Sequence, residues 1–137
     1  MVKGRKLTLG DVMTPSPLTI PIHATLSEAK AQMDDLRVNH LPVMDGTLVE
    51  SVISNEDIKR FTLPAHRIKM GEELLVSDIA PARAFAADIN DPLEKVVGVM
   101  AERRMGVVIA LNQGELAGIF TETDACRVLT ALLADQE

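Results

Sequence analysis

Two short stretches pair a hydroxyl side chain with an aspartate three residues later: Ser54-Asn55-Glu56-Asp57 and Thr121-Glu122-Thr123-Asp124. Each follows an apolar run rich in β-branched residues and opens a helical pattern, so each falls at a helix start. The first amide N–H groups there lack intrahelical partners and carry partial positive charge, which suits a phosphate. The hydroxyl can donate beside them, and the carboxylate can accept from ribose hydroxyls. The same residues also make an ordinary N-cap, so the motif alone supports either a nucleotide corner or a purely structural one. His40 could titrate near neutral pH beside a phosphate, or stand without a ligand at a strand edge. Arg60 and Arg127, three residues beyond the aspartates, are placed either to pair with them or to face solvent. His23 and His66 share no ligand spacing with His40, so no metal site is expected. No serine, cysteine or carboxylate pair shows a nucleophile with a base and an orienting group, so independent catalysis is not expected either.

The elements that position these residues come in duplicate. A shift of 67 residues carries Asp11 onto Asp78, Ile22 onto Ile89, Leu26 onto Leu93, Met33 onto Met100, Asp57 onto Asp124 and Arg60 onto Arg127, with no gap. In the first copy an extended piece, Pro17 to Ile20, leads to a capping box formed by Thr25 and Glu28. Leu26, Ala29, Met33 and Leu36 then share one helical face. His40 to Met44 and Thr47 to Ile53 form a hairpin around Asp45-Gly46, and the helix opened by Ser54 stops before Pro64. In the second copy Asp91 is the expected N-cap, with Pro92 in the first turn. Its strands run over 106–111 and 115–120, and Thr121 starts the closing helix. The expected fold is α+β, one module over 1–137 built of two βαββα repeats, 7–63 and 74–134, joined by a connector at 64–73. Neither repeat buries both faces of its small sheet alone, so the two should pack about a pseudo-two-fold axis.

Composition narrows the function. The chain has 137 residues with 20 Asp+Glu against 14 Lys+Arg, a net charge of −6 that disfavours duplex nucleic acid, whose readers replace phosphate counterions with a basic face. Three Phe and no Trp or Tyr leave nothing for a reader that stacks single-stranded bases. The early positive charge is not followed by an apolar segment, and no run approaches the ~18 residues of a membrane span. The single cysteine, Cys126, cannot form an intramolecular disulfide. A cytoplasmic location with no membrane association is the expectation.

The motif order resembles the CBS (cystathionine-β-synthase) domain family. The residues that carry the resemblance are Asp11-Val12-Met13-Thr14-Pro15, His40-Leu41-Pro42-Val43 and Ser54 to Asp57 in the first repeat, and Gly118 to Asp124 in the second. The resemblance implies a non-catalytic regulatory pair that binds an adenosine-containing ligand, AMP, ADP, ATP or S-adenosylmethionine, in the cleft between repeats. It also implies a pairing of each closing motif with the other repeat's opening segment. Ser54, Asp57, Asn39 and His40 would then face Ala80 through Phe85, and Thr121 and Asp124 would face Met13 through Leu18. Arg83 in the first of these sites is either a phosphate partner or a solvated loop arginine. Ser51 stands where the family often has Gly, Val107 where it has a base, and Ile109-Ala110 replaces Pro-Val, so the two sites should be unequal. A homodimer is implied, with part of the interface from Val128 to Leu133, and any regulated protein would be a separate chain. The alternative is a dimerising interaction module whose clefts are vestigial.

Overall fold

The computed structural model describes residues 6–62, 74–79 and 85–136, so the connector, Ala80 and Arg83 lie outside the described residues. In chain order the elements are α1 (Leu9–Val12), β1 (Thr14–Pro15), β2 (Ile20–Pro21), α2 (Leu26–Leu36), β3 (His40–Asp45), β4 (Leu48–Ser54) and α3 (Asn55–Thr62). A 3-10 helix follows (Val76–Ile79), then β5 (Phe85–Asp88), α4 (Leu93–Arg103), β6 (Val107–Asn112), β7 (Glu115–Thr121) and α5 (Glu122–Ala134). The fold is α+β. Among the described residues no helix is long and apolar enough to cross a membrane.

The chain forms two compact units that do not follow the repeat boundaries. One is continuous, 18–84. The other is split, joining 1–17 to 85–137. The continuous unit holds a sheet ordered β2-β3-β4, with β2 parallel and β4 antiparallel to β3. The split unit holds β1-β7-β6-β5, in which β5 is parallel to β6 while β7 is antiparallel to both β6 and β1.

The mismatch arises because the repeats exchange their opening segments. In the continuous unit Leu26 donates its N–H to Leu74 (3.0 Å) and Val76 donates to Ala24 (2.8 Å). In the split unit the equivalent bonds run from Leu93 to Leu7 (2.8 Å) and from Leu9 to Asp91 (3.0 Å). Apolar side chains follow the backbone. Val76 and Ile79 join a core of Ile20, Leu26, Met33, Leu41 and Ile53. Leu9 joins Leu93, Val96, Met100, Val108 and Phe120.

Local chemistry explains the elements. Thr25 caps α2 with the expected box, accepting from Glu28 N–H at 3.0 Å while the Glu28 carboxylate accepts from Thr25 N–H at 2.9 Å. Leu26, Ala29 and Met33 bury the face that sequence spacing defines, whereas Leu36, in the last turn, is 37% exposed. Both hairpins close in two residues. Gln113 and Gly114 both have positive φ (53° and 83°), as a type I′ turn requires, whereas in the first hairpin the positive φ falls on Gly46 (63°). Both carry a bulge at the same place, leaving Glu50 and Ala117 out of register.

Three assignments differ from expectation, the first being the hairpin turn, which falls at Gly46-Thr47 rather than Asp45-Gly46 because Asp45 still pairs with Leu48. The extended piece expected over Pro17 to Ile20 pairs instead as β2, Ile20–Pro21, because pairing runs along Val43 and Met44 of β3. Asp91 is not the N-cap of α4. Lys95 and Val96 donate to the Pro92 carbonyl, which starts the helix one residue later, and the Asp91 carboxylate instead accepts from Asp88 N–H at 3.0 Å.

Candidate functional site

Both hydroxyl–aspartate motifs sit where a hairpin strand turns directly into a helix. In the split unit β6 pairs Val107 with Thr121, the last residue of β7, and α5 starts at the next residue. Asp124 N–H donates to the Thr121 hydroxyl at 3.3 Å, and Asp124 Oδ2 accepts from Thr121 N–H at 2.9 Å. The other carboxylate oxygen, Oδ1, meets Arg127 Nη1 at 3.5 Å. In the continuous unit β3 pairs His40 with Ser54, and Asp57 N–H donates to Ser54 Oγ at 3.0 Å. Asp57 Oδ2 accepts from Ser54 N–H at 2.9 Å, and Oδ1 lies 3.8 Å from Arg60 Nη1. The two sites are the same construction at the repeat offset.

Each aspartate therefore divides its oxygens. One closes the helix cap, which is the structural role, and the other lies beside an arginine that is largely in solvent. The arginines are 62% and 76% exposed, and the separations exceed those of a tight charge-assisted bond. Oδ1 thus retains acceptor capacity beyond the cap.

The opening segment of the chain lies against the α5 corner's own strand. β1 pairs Thr14 with Ile119 and Pro15 with Gly118, and Ser16 N–H donates to Ala117 at 3.0 Å. A Cβ on Gly118 would collide with the Met13 sulfur and stand 2.7 Å from the Thr14 carbonyl oxygen, so the close approach of β1 depends on glycine there. The equivalent residue in β4 is Ser51, buried at 4% exposure. Asp11 and Asp78, the aspartates that open the repeats, accept from the backbone N–H three residues earlier, Thr8 and Leu75, each at 2.8 Å.

The structure thus brings Met13 into the unit of Thr121 and Asp124, and Asn39 and His40 into that of Ser54 and Asp57. Leu18 opens the continuous unit and is 58% exposed, while Phe85 opens β5 in the split unit. Ala80 and Arg83 lie outside the described residues. Among the described residues no group of three His, Cys, Asp or Glu side chains gathers to hold a metal.

Two features escape the sequence reading. Asn55 and Glu122 hold equivalent first-turn positions, yet Asn55 Oδ1 is buried without a hydrogen-bond partner while the Glu122 carboxylate lies against Gly106. The offset alignment already contained that difference. An apolar groove of about 440 Å³ also runs between α4 and α5, lined by Leu7, Leu93, Val97, Val128, Leu129 and Leu132. Its α5 side was visible as the apolar stretch after Arg127, but Leu7 was not.

The family model of the CBS domain matches residues 9–63 and 76–131. The AcuB protein of Vibrio cholerae has a similar structure, with a TM-score of 0.82 at 21% identity over 96% of each chain. The CBS domain pair of MJ0100, solved with 5′-methylthioadenosine and S-adenosyl-L-methionine, gives 0.80 at 19% identity, covering 93% of this chain and 98% of that one. CBSX2, solved with AMP, gives 0.73 at 21% identity over 92% and 98%. In sequence, an A-adding tRNA nucleotidyltransferase of Geobacter sulfurreducens is 26% identical over 122 residues, 89% of this chain and 13% of that protein's length.

Proposed function

The chain belongs to the CBS domain family, and on that basis we propose that it is a regulatory module that binds an adenosine-containing ligand and signals to a separate partner protein. AMP, ADP, ATP and S-adenosylmethionine are the ligands to test, a class drawn from what MJ0100 and CBSX2 were solved with. The observation that carries the reading is the hydroxyl–aspartate cap built twice, each with one carboxylate oxygen committed to the backbone and the other beside a largely exposed arginine. Ser54 and Thr121 would meet a phosphate or its substituent at the helix start, and Asp57 and Asp124 would accept from ribose hydroxyls. Asn39 and His40 would flank one ligand, and Met13 the other. No catalytic step is assigned to any of these residues.

A ligand present at a hundred times its dissociation constant adds about 2.7 kcal/mol to stability. Thermal midpoints with each of the four compounds at millimolar concentration test the proposal. A rise of several degrees with at least one supports it, and no rise with any removes it for these ligands.

A homodimer is proposed alongside, favoured by the apolar groove and by Leu129 and Leu133, each 55% exposed on α5. Light scattering should give twice the chain mass for the wild type and the monomer mass for Leu129→Glu/Leu133→Glu. A dimer indifferent to every nucleotide would instead favour an interaction module with vestigial clefts.

A further inference from the structure

The two caps share a backbone but differ in where their charges lie: each first turn carries two carboxylates, Glu56 and Asp57 in α3 and Glu122 and Asp124 in α5. Asn55 and Glu122 are each the first residue of their helix, and each donates its N–H to the residue preceding the paired strand, Asn39 at 2.9 Å and Gly106 at 3.0 Å. At the α5 corner the Glu122 side chain folds back over that residue. A Cβ on Gly106 would stand 2.6 Å from Glu122 Oε1 and 3.3 Å from its Cδ, so the missing side chain at 106 is the space the carboxylate uses. The anion is thereby held beside the start of β6, next to Val107. At the α3 corner the equivalent residue is a neutral amide, Asn55, whose Oδ1 is buried without a partner, and the strand opens with His40.

A carboxylate at this point repels a phosphate that approaches the helix start. The pairs Asp57 with Arg60 and Asp124 with Arg127 match and cancel in the comparison, while Lys59 stands where the second repeat has the uncharged Cys126. Glu56 has no acidic counterpart in the second repeat, where Thr123 stands. It is exposed and lies about 100° round the helix from Asn55. Resting on the nucleotide reading above, we infer that the two corners select ligands by charge. The α3 corner takes the phosphate-bearing adenosine compound, and the α5 corner takes a phosphate-free one, neutral or sulfonium. Glu122 is the specificity-determining residue.

Like charges about 4 Å apart in well-solvated surroundings weaken binding roughly fivefold. The test is titration of the full chain with AMP and with 5′-methylthioadenosine by calorimetry, with backbone amide NMR at residues 54–58 and 121–125 reporting which corner fills. In the wild type AMP should shift the α3 amides first and methylthioadenosine the α5 amides. Glu122→Gln should strengthen AMP at the α5 corner about fivefold and leave methylthioadenosine within twofold. Asn55→Asp, its thermal midpoint read in parallel, should weaken AMP at the α3 corner by a similar factor. Binding of both compounds with an AMP-to-methylthioadenosine ratio at α5 unmoved by Glu122→Gln overturns the selectivity alone. Absence of any amide shift with either compound overturns the nucleotide reading and the selectivity with it.

Discussion

Alanine at position 118 should destabilise the protein, whereas alanine at position 98 should stabilise it. At Gly118 the added carbon would stand 2.7 Å from the Thr14 carbonyl oxygen, where ordinary contact begins at 3.4 Å. The Met13 thioether can swing aside, since methionine has three rotatable bonds. The Thr14 oxygen cannot, because it is backbone in a strand paired to Ile119 and Gly118 and followed by the Ser16-to-Ala117 hydrogen bond. β1 must therefore retreat by about 0.7 Å, the shortfall between those two distances. Overpacking of this kind costs about 1–3 kcal/mol, against which alanine's smaller unfolded-state entropy returns about 0.4–1. The expected net loss is about 1–2 kcal/mol, or roughly 4–8 °C in Tm. Gly98 lies within α4 with nothing within 4 Å of a Cβ, so Gly98→Ala should gain about 0.5–1 kcal/mol from helix propensity alone. Urea melts of the two variants beside wild type, compared at unchanged slope, give both signs. A Gly118→Ala protein as stable as wild type would refute the claim that β1 is clamped to β7 through that glycine.

Two further outcomes follow from the caps and the core. The backbone N–H of Thr25, and then its hydroxyl, hold the Glu28 carboxyl below its ordinary value of 4.5. A lowered folded-state value means its contribution is present above pH 4.5 and lost as pH falls through the lowered value. Wild type should therefore exceed Glu28→Gln in stability at pH 7, with the gap closing in acid; a gap that persists unchanged at pH 2 would contradict the capping role. Phe120 is fully buried among Leu9, Leu93, Val96 and Val108, so Phe120→Ala should cost about 3–5 kcal/mol in a denaturant melt, and a loss under about 1 would show that the surrounding side chains collapse into the space.

Features set by neighbours in sequence were legible before any coordinates. The Thr25–Glu28 box, the two hydroxyl–aspartate caps and the buried face of α2 each depend on residues within a few positions of one another, whereas the hairpin turns fall one residue away from where Asp45-Gly46 and the 106–111 strand suggest. Asp91 misled because two groups compete for one helix start, and the Pro92 carbonyl takes the first amides. β1 is two residues long and could not be located from periodicity; it exists because Gly118, far along the chain, leaves it room. The exchange of opening segments was expected only from family resemblance, since nothing in residues 7–17 indicates which sheet they join. Sequence spacing leaves open whether Arg60 and Arg127 pair with Asp57 and Asp124 or face solvent, and the structure shows both, loose pairs at 3.8 and 3.5 Å whose arginines are 62% and 76% exposed.

The divided architecture also imposes an order of events on synthesis. As the chain is made from its N-terminus, every part of the continuous unit is present before β5 exists. Leu9 and Val12, by contrast, have their core partners on α4, β6 and β7, so they must wait, apolar and unsheltered, until the last strand has been made. Closing so distant a pairing is slow compared with local hairpins. The first repeat's sheet should thus be protected from hydrogen exchange while the second is still open, with Leu9 and Val12 left bare in the interval.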